Sequence, residues 1–299
     1  MNVPVSDIQR AAQILKEGGL VAFPTETVYG LGASVFQPQA IQRIFKVKGR
    51  PQDNPLIVHI SSLEQLSLIV HAPPPEFYLL MEAFFPGPLT VLLPKLDTVP
   101  GIVSANLPQI GVRMPAHPVA LQLIEAAGVP LVAPSANVSG KPSSTCAQHV
   151  QKDFGDLIDA VIDGGACEYG IESTVITLSP FPQILRPGAI SQQQLEDVLG
   201  HPVPYAKGNA DKPLSPGMKY RHYAPLAKVL VFHNPEAFAA YLKNADSRRC
   251  LKLDSVKRED LYARLRQADA EGQEEVVIYC DESMQKDLAL MNRIERASQ

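Results

Sequence analysis

The stretch "FPTETVYGLG", residues 23–32, joins the end of an apolar run to a group of polar side chains and two glycines. Residues 20–23 are all apolar and have the composition of a short buried strand. Ligands of α/β proteins collect where such strands end. Short hydroxyl groups suit a small polar ligand, so the stretch predicts a pocket wall formed by Thr25, Thr27 and Tyr29.

Predicted strands and helices alternate along the chain beyond this stretch. The apolar runs at 56–60 and 89–93 are typical of buried strands, and the periodicity of 258–270 is typical of a helix. The alternation follows no strict repeat, so it predicts a mixed α/β sheet rather than a barrel or a solenoid. Ser6 is expected to cap the first helix, and a single helix is expected over 284–297.

A change of composition divides the chain. Residues 203–226 are rich in Pro, Gly and polar side chains and show no apolar period, which is typical of a linker. Residues 1–202 are expected to form the main domain, and residues 227–299 a small second α/β domain. Because so short a segment is near the lower limit for independent folding, we expect the second domain to lean on the first.

Bulk composition excludes several classes of protein. The 299 residues include 27 basic and 31 acidic side chains, a formal net charge of -4, which argues against a general nucleic-acid coat protein. The four cysteines form no C-x-x-C pair, so neither a zinc knuckle nor a thioredoxin-like motif is predicted. The N-terminus lacks the apolar core of a signal peptide, and no apolar run approaches the ~20 residues that span a bilayer. These features predict a cytoplasmic protein without membrane contact.

Cations cluster in "KVKGRPQDNP", residues 46–55. Lys48 and Arg50 flank Gly49, and an extended chain would place both on one side of a loop. Two cations on one side suit a polyphosphate. The alternative is an ordinary basic helix C-terminus, which the helix dipole favours.

Two arginines lie in apolar surroundings, Arg113 in "IGVRMP" and Arg186 in "ILRPG". A buried guanidinium group needs an anionic partner or a ligand. The sequence leaves open whether that partner is a bound anion or a salt bridge to Glu26 or Glu172. By itself, His59 in "IVHI" is better explained by a satisfied core histidine than by a catalytic residue.

Neither of the standard nucleotide-binding motifs is complete. Gly30 and Gly32 begin a G-x-G-x-x-G pattern, but Val35 stands where its third glycine belongs. "GKPSS", residues 140–144, resembles part of a P-loop, but Ser135 occupies the position of the required first glycine. A Rossmann dinucleotide site and a Walker phosphate loop are therefore not expected.

Seven ordered motifs together resemble one known family. They are "FPTETVYGLG", "KVKGRPQDNPLIVHI", "FPGPLTVLL", "VRMPAHP", "APSANVSGKPS", "IESTVI" and "LRPGAI". They resemble the YrdC-like domain of threonylcarbamoyl-AMP synthases. "SPGMKYRHYAP", residues 215–225, resembles the linker of the long two-domain form. The resemblance implies an α/β fold, namely an open twisted mixed sheet of the YrdC-like type followed by a small Rossmann-like α/β domain.

The resemblance also implies a reaction and its partners. L-threonine, bicarbonate and ATP would give L-threonylcarbamoyladenylate and pyrophosphate. The product would feed N6-threonylcarbamoylation of adenosine 37 in tRNA, which a separate transferase machinery completes and which leaves room for a weak direct contact with tRNA. Mg²⁺ is expected to bind with the ATP phosphates, because the sequence shows no dedicated carboxylate cluster.

Matching the family motifs residue by residue implies the residues of the site. The implied catalytic cations are Lys48 and Arg50. The implied ATP contacts are Lys48, Arg50, Asn54, Ser135, Asn137, Ser143, Arg186 and His222. The implied threonine pocket consists of Thr27, His59, Arg113 and Ser173, with the guanidinium of Arg113 holding the carboxylate as a fork.

Two further expectations follow from the motifs. Residues 215–225, with His222 among them, are expected to close over ATP as a lid that excludes water. Gln109 stands four residues before Arg113, where a small hydroxyl group is expected, so an ATP contact at that position is expected to be lost or changed.

Two other functions remain open from the sequence. An RNA-binding module would use a concave surface without chemistry, although the net charge and the missing aromatic–basic interleaving weaken this alternative. A carbamoyl transferase that uses carbamoyl phosphate would also contain a YrdC-like domain. This chain shows none of the acylphosphatase, zinc-finger and kinase-like regions of such proteins.

Overall fold

The computed structural model describes residues 3–206, 222–246 and 248–299. Of the predicted lid, residues 215–221 lie outside the described residues, whereas His222 lies within them. No helix in the described ranges is both long enough and apolar enough to cross a membrane.

The first domain is built on one mixed sheet. Its strands within the described residues are β1 (Val21–Phe23), β2 (Gly30–Ser34), β3 (Ile57–His59), β4 (Leu89–Pro94), β5 (Gln109–Arg113), β6 (Leu131–Val132), β7 (Ala160–Val161), β8 (Thr174–Thr177) and β9 (Gln183–Arg186). They stand in the order β7-β1-β2-β6-β3-β5-β4-β8-β9. The pairs β1–β7, β3–β5 and β4–β8 are parallel, and the other neighbouring pairs are antiparallel. The predicted mixed sheet is confirmed.

Helices pack on both faces of this sheet. They are α1 (Val5–Lys16), α2 (Pro38–Lys48), α3 (Leu63–Leu66), α4 (Pro75–Phe84), α5 (Pro118–Ala127), α6 (Ala147–Phe154) and α7 (Gln192–Leu199). Successive side chains of a strand point to opposite faces. Accordingly, Ala22 packs in the larger core with Ile41 of α2, whereas Val21 and Phe23 pack in a second core with α1 and α5.

The stretch 23–32 contains a second strand that the sequence did not predict. β2 pairs antiparallel with β1, so that Gly32 lies opposite Val21. A Cβ atom on Gly32 would lie 2.7 Å from Cε1 of Phe23, so the glycine leaves room for that ring. Glycine and alanine dominate β2 and give it little of the side-chain signature of a strand.

Two helix ends differ from prediction. α1 begins at Val5 with Pro4 at its N-cap and no side-chain cap, so the capping role expected for Ser6 is wrong. Residues 284–297 do not form one helix. Asp287, with φ -85° and ψ 87°, separates α10 (Glu282–Lys286) from α11 (Leu288–Ala297), and its carboxylate accepts the Leu290 N–H at 3.0 Å. Aspartate favours such caps over helix interiors because its side chain binds nearby backbone donors.

The second domain contains a parallel sheet of three strands in the described residues. Its elements are β10 (Lys228–Phe232), α8 (Pro235–Asn244), β11 (Cys250–Leu253), α9 (Arg258–Ala270) and β12 (Glu275–Tyr279), followed by α10 and α11. β12 lies between β10 and β11, and β11 was not predicted. Val28 and Ile171 of the first domain belong to the same apolar core as Tyr262 and Ile294. The two domains share a core, as expected for a second domain that leans on the first.

Candidate active site

A cavity opens where several strands of the large sheet end. The last residues of β3, β5 and β9 contribute His59, Arg113 and Arg186 to its wall. The predicted site residues that line it are Thr27, Arg50, His59, Arg113, Ser135, Asn137, Ser173, Arg186 and His222. The cavity is also lined by the three residues that were predicted to form a pocket wall, Thr25, Thr27 and Tyr29. Residues far apart in sequence are therefore brought into one site.

Arg113 is both ion-paired and part of the cavity wall. Its Nη2 donates to Oε1 of Glu26 at 2.5 Å, its Nη1 to Oγ1 of Thr27 at 2.8 Å and its Nε to the carbonyl of Gly87 at 3.2 Å. The salt bridge that the sequence left open is therefore present, with Glu26 as the partner. A guanidinium group has five N–H donors, so these three bonds leave donor capacity beside the cavity.

His59 is a neutral histidine against the same wall. Burial, followed by the charge of Arg113, lowers its pKa to about 3. Its ring packs edge to face with Phe23, with 6.3 Å between ring centroids. Among the described residues its Nδ1 has no hydrogen-bond partner. His59 can therefore form a hydrogen bond with a ligand, and it adds no charge to the site at neutral pH.

Two further arginines are held rigidly around the cavity. Arg186 donates from Nε and Nη2 to the carbonyl of Ser173 at 3.2 and 2.9 Å, and from Nη2 to its Oγ at 3.2 Å. Arg50 donates from Nη2 to the carbonyl of Pro55 at 3.0 Å. Burial lowers the pKa of Arg50 to about 10, which still leaves the group charged at neutral pH. Its Nε has no partner within the described part of the chain.

Lys48 does not line the cavity. It is the last residue of α2, and Gly49 follows with φ 61°, so the chain is not extended there and does not place Lys48 and Arg50 on one side of a loop. A glycine in the left-handed region is the common way for a helix to end. The Lys48 Nζ donates to the carbonyls of Ser135 and Asn137 at 2.5 and 2.6 Å, and burial lowers its pKa. The ammonium thus supports the cavity wall from behind, and its contact with phosphate stays a prediction.

Asn54 and Ser143 also lie behind the wall. The carbonyl of Asn54 accepts from Arg50 Nη2 at 3.4 Å, and the Oγ of Ser143 donates to Oε1 of Glu172 at 2.5 Å. Asn137 does face the cavity, where its Oδ1 has no partner among the described residues. Direct ATP contacts by Asn54 and Ser143 therefore remain predictions.

The end of the predicted lid forms another part of the wall. His222 and Tyr223 both line the cavity. Tyr223 has φ 65° and stacks on Tyr262 with 5.4 Å between ring centroids. Burial, then the charge of Arg50, lowers the pKa of His222 to about 4, so its imidazole is neutral at physiological pH. His222 lines the same cavity as Arg50 and Arg186, and its role as a cover over ATP stays a prediction.

Sequence reasoning missed several cavity residues. Lys141, Glu172 and Tyr223 line the cavity, yet none was assigned to it. Lys141 lies in the incomplete P-loop motif and Tyr223 follows His222 in the linker motif. Both residues could therefore have been predicted from the motifs that contain them. Gln109 lies at the opposite end of β5 from Arg113 and outside the cavity wall. The side chain of Gln109 therefore contributes nothing to the wall of this cavity.

The chain matches two protein families over almost all of its length. Residues 13–188 match the Sua5/YciO/YrdC family, described as "Telomere recombination", and residues 190–299 match "Threonylcarbamoyl-AMP synthase, C-terminal domain". The threonylcarbamoyl-AMP synthase of Pyrococcus abyssi is 43% identical over 319 aligned residues, which cover 97% of this chain and 94% of that protein. The Bacillus subtilis enzyme is 48% identical over 229 residues, which cover 75% of this chain and 66% of that protein.

The structure is similar to that of a solved relative. The crystal structure of P. abyssi Sua5 complexed with L-threonine has a TM-score of 0.92 at 40% sequence identity, and the match covers 100% of this chain and 96% of that one. The predicted architecture, an open mixed sheet followed by a small α/β domain, is confirmed. The chain belongs to the family of Sua5-type threonylcarbamoyl-AMP synthases, enzymes in which a YrdC domain is followed by a Sua5 C-terminal domain.

Proposed function

We propose that the cavity binds ATP and L-threonine side by side and that the enzyme joins them with bicarbonate into L-threonylcarbamoyladenylate, releasing pyrophosphate. The observation that carries this proposal is the convergence of three buried guanidinium groups, those of Arg50, Arg113 and Arg186, on one cavity. Buried cations need anions close by. The anions of this reaction are a carboxylate and a triphosphate.

Threonine binds at the end of the cavity formed by Thr27, His59, Arg113 and Ser173. The remaining donors of Arg113 take its carboxylate as a fork, because guanidinium and carboxylate groups match in geometry. The P. abyssi relative was solved with L-threonine, which supports threonine as a ligand of this chain. The neutral His59 leaves the carboxylate to Arg113 and offers a hydrogen bond.

ATP binds at the end lined by Arg50, Arg186 and Lys141. These three cations neutralise the phosphate groups, and Ser135 and Asn137 supply polar contacts to the rest of the nucleotide. Lys48 contributes by holding the carbonyls of Ser135 and Asn137. Substitution of Lys48 therefore affects ATP binding through this loop. Asn54 and Ser143 are proposed to act in the same way, through Arg50 and Glu172.

Positioning provides most of the catalysis. The threonine amine and bicarbonate form a carbamate with loss of water, and a carbamate oxygen then attacks the α-phosphorus while pyrophosphate leaves. Two anions must approach each other in this step, and fixed cations reduce their repulsion. Holding the reactants in line is worth about 7–11 kcal/mol. His222 covers the nucleotide and keeps water from the mixed anhydride.

Mg²⁺ is proposed to bind with the ATP phosphates. No group of three or more His, Cys, Asp or Glu side chains within the described ranges could hold a metal ion. Mg²⁺ commonly keeps several waters and uses substrate phosphates as ligands. The residues of the cavity wall therefore fit a metal ion that arrives bound to ATP. When bound, the ion would neutralise part of the phosphate charge.

The product is proposed to serve tRNA modification in the cytoplasm. Threonylcarbamoyladenylate is a mixed anhydride that a separate transferase machinery would use at adenosine 37. The net charge of -4 supports at most a weak direct contact between this chain and tRNA.

Pyrophosphate release tests the proposal. The protein is incubated with MgATP, L-threonine and bicarbonate in degassed buffer, and each component is omitted in turn. We expect release to require threonine and bicarbonate together. Release that persists without threonine would indicate a nucleotide hydrolase. Product formed only when carbamoyl phosphate replaces bicarbonate would indicate a carbamoyl transferase.

A further inference from the structure

The second domain reaches the wall of the active site through three side chains. Tyr262 and Arg266 lie four residues apart on α9 and therefore on one face of that helix, and Arg293 lies on α11. Their exposed fractions are 0%, 7% and 0%. Arginine is rarely buried to this extent unless it is paired. All three side chains donate hydrogen bonds to the first domain.

Glu172 lines the cavity and is held by both domains. From the second domain, Arg293 Nε donates to its Oε2 at 2.8 Å and the hydroxyl of Tyr262 donates to the same oxygen at 3.0 Å. From the first domain, the Oγ of Ser143 donates to its Oε1 at 2.5 Å. Burial raises the pKa of Glu172, but the charges of Arg293 and then Arg186 outweigh burial and lower it overall. Glu172 is therefore a carboxylate in the folded enzyme.

Arg266 holds the loop that carries Lys141 and Ser143. Its Nη2 donates to the carbonyl of Pro142 at 2.6 Å and to Oδ2 of Asp153 at 2.7 Å. The Nζ of Lys141 lies 3.5 Å from Oδ1 of the same aspartate. The second domain thus fixes both the backbone of this loop and the carboxylate beside its cation.

Arg293 also contacts the end of β9, which presents Arg186 to the cavity. Its Nη1 donates to the carbonyl of Pro187 at 2.8 Å. Burial lowers the pKa of Arg186, the charge of Arg293 adds to that effect, and the charge of Glu172 opposes it. Two guanidinium groups therefore act on one carboxylate, and the one that forms an ion pair with Glu172, at 2.8 Å, is that of Arg293.

We propose that Tyr262, Arg266 and Arg293 are positioning residues of the nucleotide site, and that Arg293 neutralises Glu172 so that Arg186 stays directed at the phosphates. This inference rests on the proposed function. Without Arg293, Glu172 would be a buried carboxylate that has lost its main cation, which is costly. The other cation that acts on it is Arg186, which would turn towards Glu172 and away from ATP. The second domain is on this account a part of the nucleotide site.

Arg293→Met in the full-length enzyme tests the proposal. Pyrophosphate release is measured with ATP and L-threonine varied in turn. The KM for ATP should rise about tenfold, the effect of losing one charge-assisted contact to the ligand, while the KM for threonine stays within about twofold. Arg293→Lys keeps a cation and should fall between wild type and Arg293→Met. The double variant Arg293→Met/Glu172→Gln removes the uncompensated charge and should recover most of the ATP affinity.

Arg258→Met is the matched control. Arg258 pairs with Asp287 inside the second domain, with Nε 2.5 Å from Oδ2, and its side chain does not line the cavity. Its KM for ATP should equal that of the wild type. If Arg258→Met raised this KM as much as Arg293→Met, or if Arg293→Met raised both KM values equally, the interface would only support folding and the proposal would be overturned.

Tyr262→Phe keeps the proposal testable if Arg293→Met does not fold. The change retains the ring that stacks on Tyr223 and removes only the hydroxyl that donates to Glu172. Its KM for ATP should rise severalfold, and an unchanged value would contradict the proposal. Binding of a nonhydrolysable ATP analogue, measured by calorimetry, is the second readout. This binding measurement reports on positioning even if the wild-type enzyme releases no pyrophosphate. Missing pyrophosphate release would refute the proposed function but would leave the positioning proposal testable.

Discussion

Lys48 acts on the active site through the backbone of a neighbouring loop. Only 2% of this residue is exposed, and its ammonium donates to the carbonyls of Ser135 and Asn137. A buried ammonium is costly unless it is hydrogen-bonded. The two bonds satisfy this requirement and at the same time hold the loop whose residues Ser135 and Asn137 line the cavity. A cation that a motif associates with phosphate therefore also has a structural role.

Lys48→Met should destabilise the protein. The substitution keeps the length of the side chain but removes the ammonium donor from the buried carbonyl of Asn137 and from the carbonyl of Ser135, which keeps the N–H of Asn137 at 3.0 Å. Leaving a buried carbonyl unsatisfied costs about 1–3 kcal/mol. We expect the free energy of unfolding, measured by urea denaturation, to fall by about 2–4 kcal/mol. Lys46→Met is the control, because Lys46 is exposed on the same helix and surface changes are usually within about 0.5 kcal/mol. Equal stability of the two variants would contradict a structural role and favour direct contact with phosphate.

At the scale of elements, the pair β1–β2 determines how residues 23–32 present the pocket wall. The strands fix both ends of the stretch, and Thr25 ties the turn between them by donating from Oγ1 to the carbonyl of Val28 at 2.6 Å. Val28 packs in the core that the two domains share, and both Thr27 and Val28 line the cavity. Gly32 leaves room for the ring of Phe23 within this pair.

Gly32→Ala should strain the pair β1–β2. The added Cβ would lie 2.7 Å from the ring of Phe23, and overpacking of this kind costs about 1–3 kcal/mol of stability. The Phe23→Leu change removes the ring, so Gly32→Ala/Phe23→Leu should cost less than the sum of the two single variants. Urea denaturation of all three variants measures this coupling. Strictly additive losses would show that the ring does not require the glycine.

At the scale of the whole molecule, buried charges join the two domains. Arg266 of the second domain pairs with Asp153 of the first, and 8% and 1% of these side chains are exposed. Such a pair is weak evidence for net stability, but removing one partner leaves the other buried without compensation. We therefore expect single substitutions at this interface to cost more stability than substitutions in the ion pairs at the surface of the second domain.

Arg266→Met should lower the free energy of unfolding by about 2–4 kcal/mol, because it leaves Asp153 with Lys141 at 3.5 Å as its cation and removes the side-chain donor from the carbonyl of Pro142. Arg249→Met is the control: Arg249 pairs with Glu274, and 61% and 53% of these side chains are exposed. A surface pair of this kind is worth about 0–1 kcal/mol. Thermal and urea unfolding of the full-length variants provide the comparison. Losses of similar size in both variants would mean that the interface pair is no more important than a surface pair.

Local patterns were sufficient to predict much of the fold. The periodicity of 258–270 predicted α9 with its observed bounds, because a helix is determined largely by which side chains recur on one face. The glycine-rich β2 was missed, since a short strand is stabilised by its neighbours in the sheet more than by its own residues. The break at Asp287 was missed because a capping side chain competes with the periodicity around it.

The sequence alone determined the family and the mixed α/β sheet, and it singled out Arg113 and Arg186 as buried cations, because motifs and periodicity are local properties of the chain. Only the tertiary structure decided how the buried charges pair. Arg113 pairs with Glu26, whereas Glu172 pairs with Arg293, 121 residues away. Lys48 turns to backbone carbonyls rather than into the cavity. A buried charge takes the partner that the packed elements bring within hydrogen-bond distance, and that partner cannot be read from spacing along the chain.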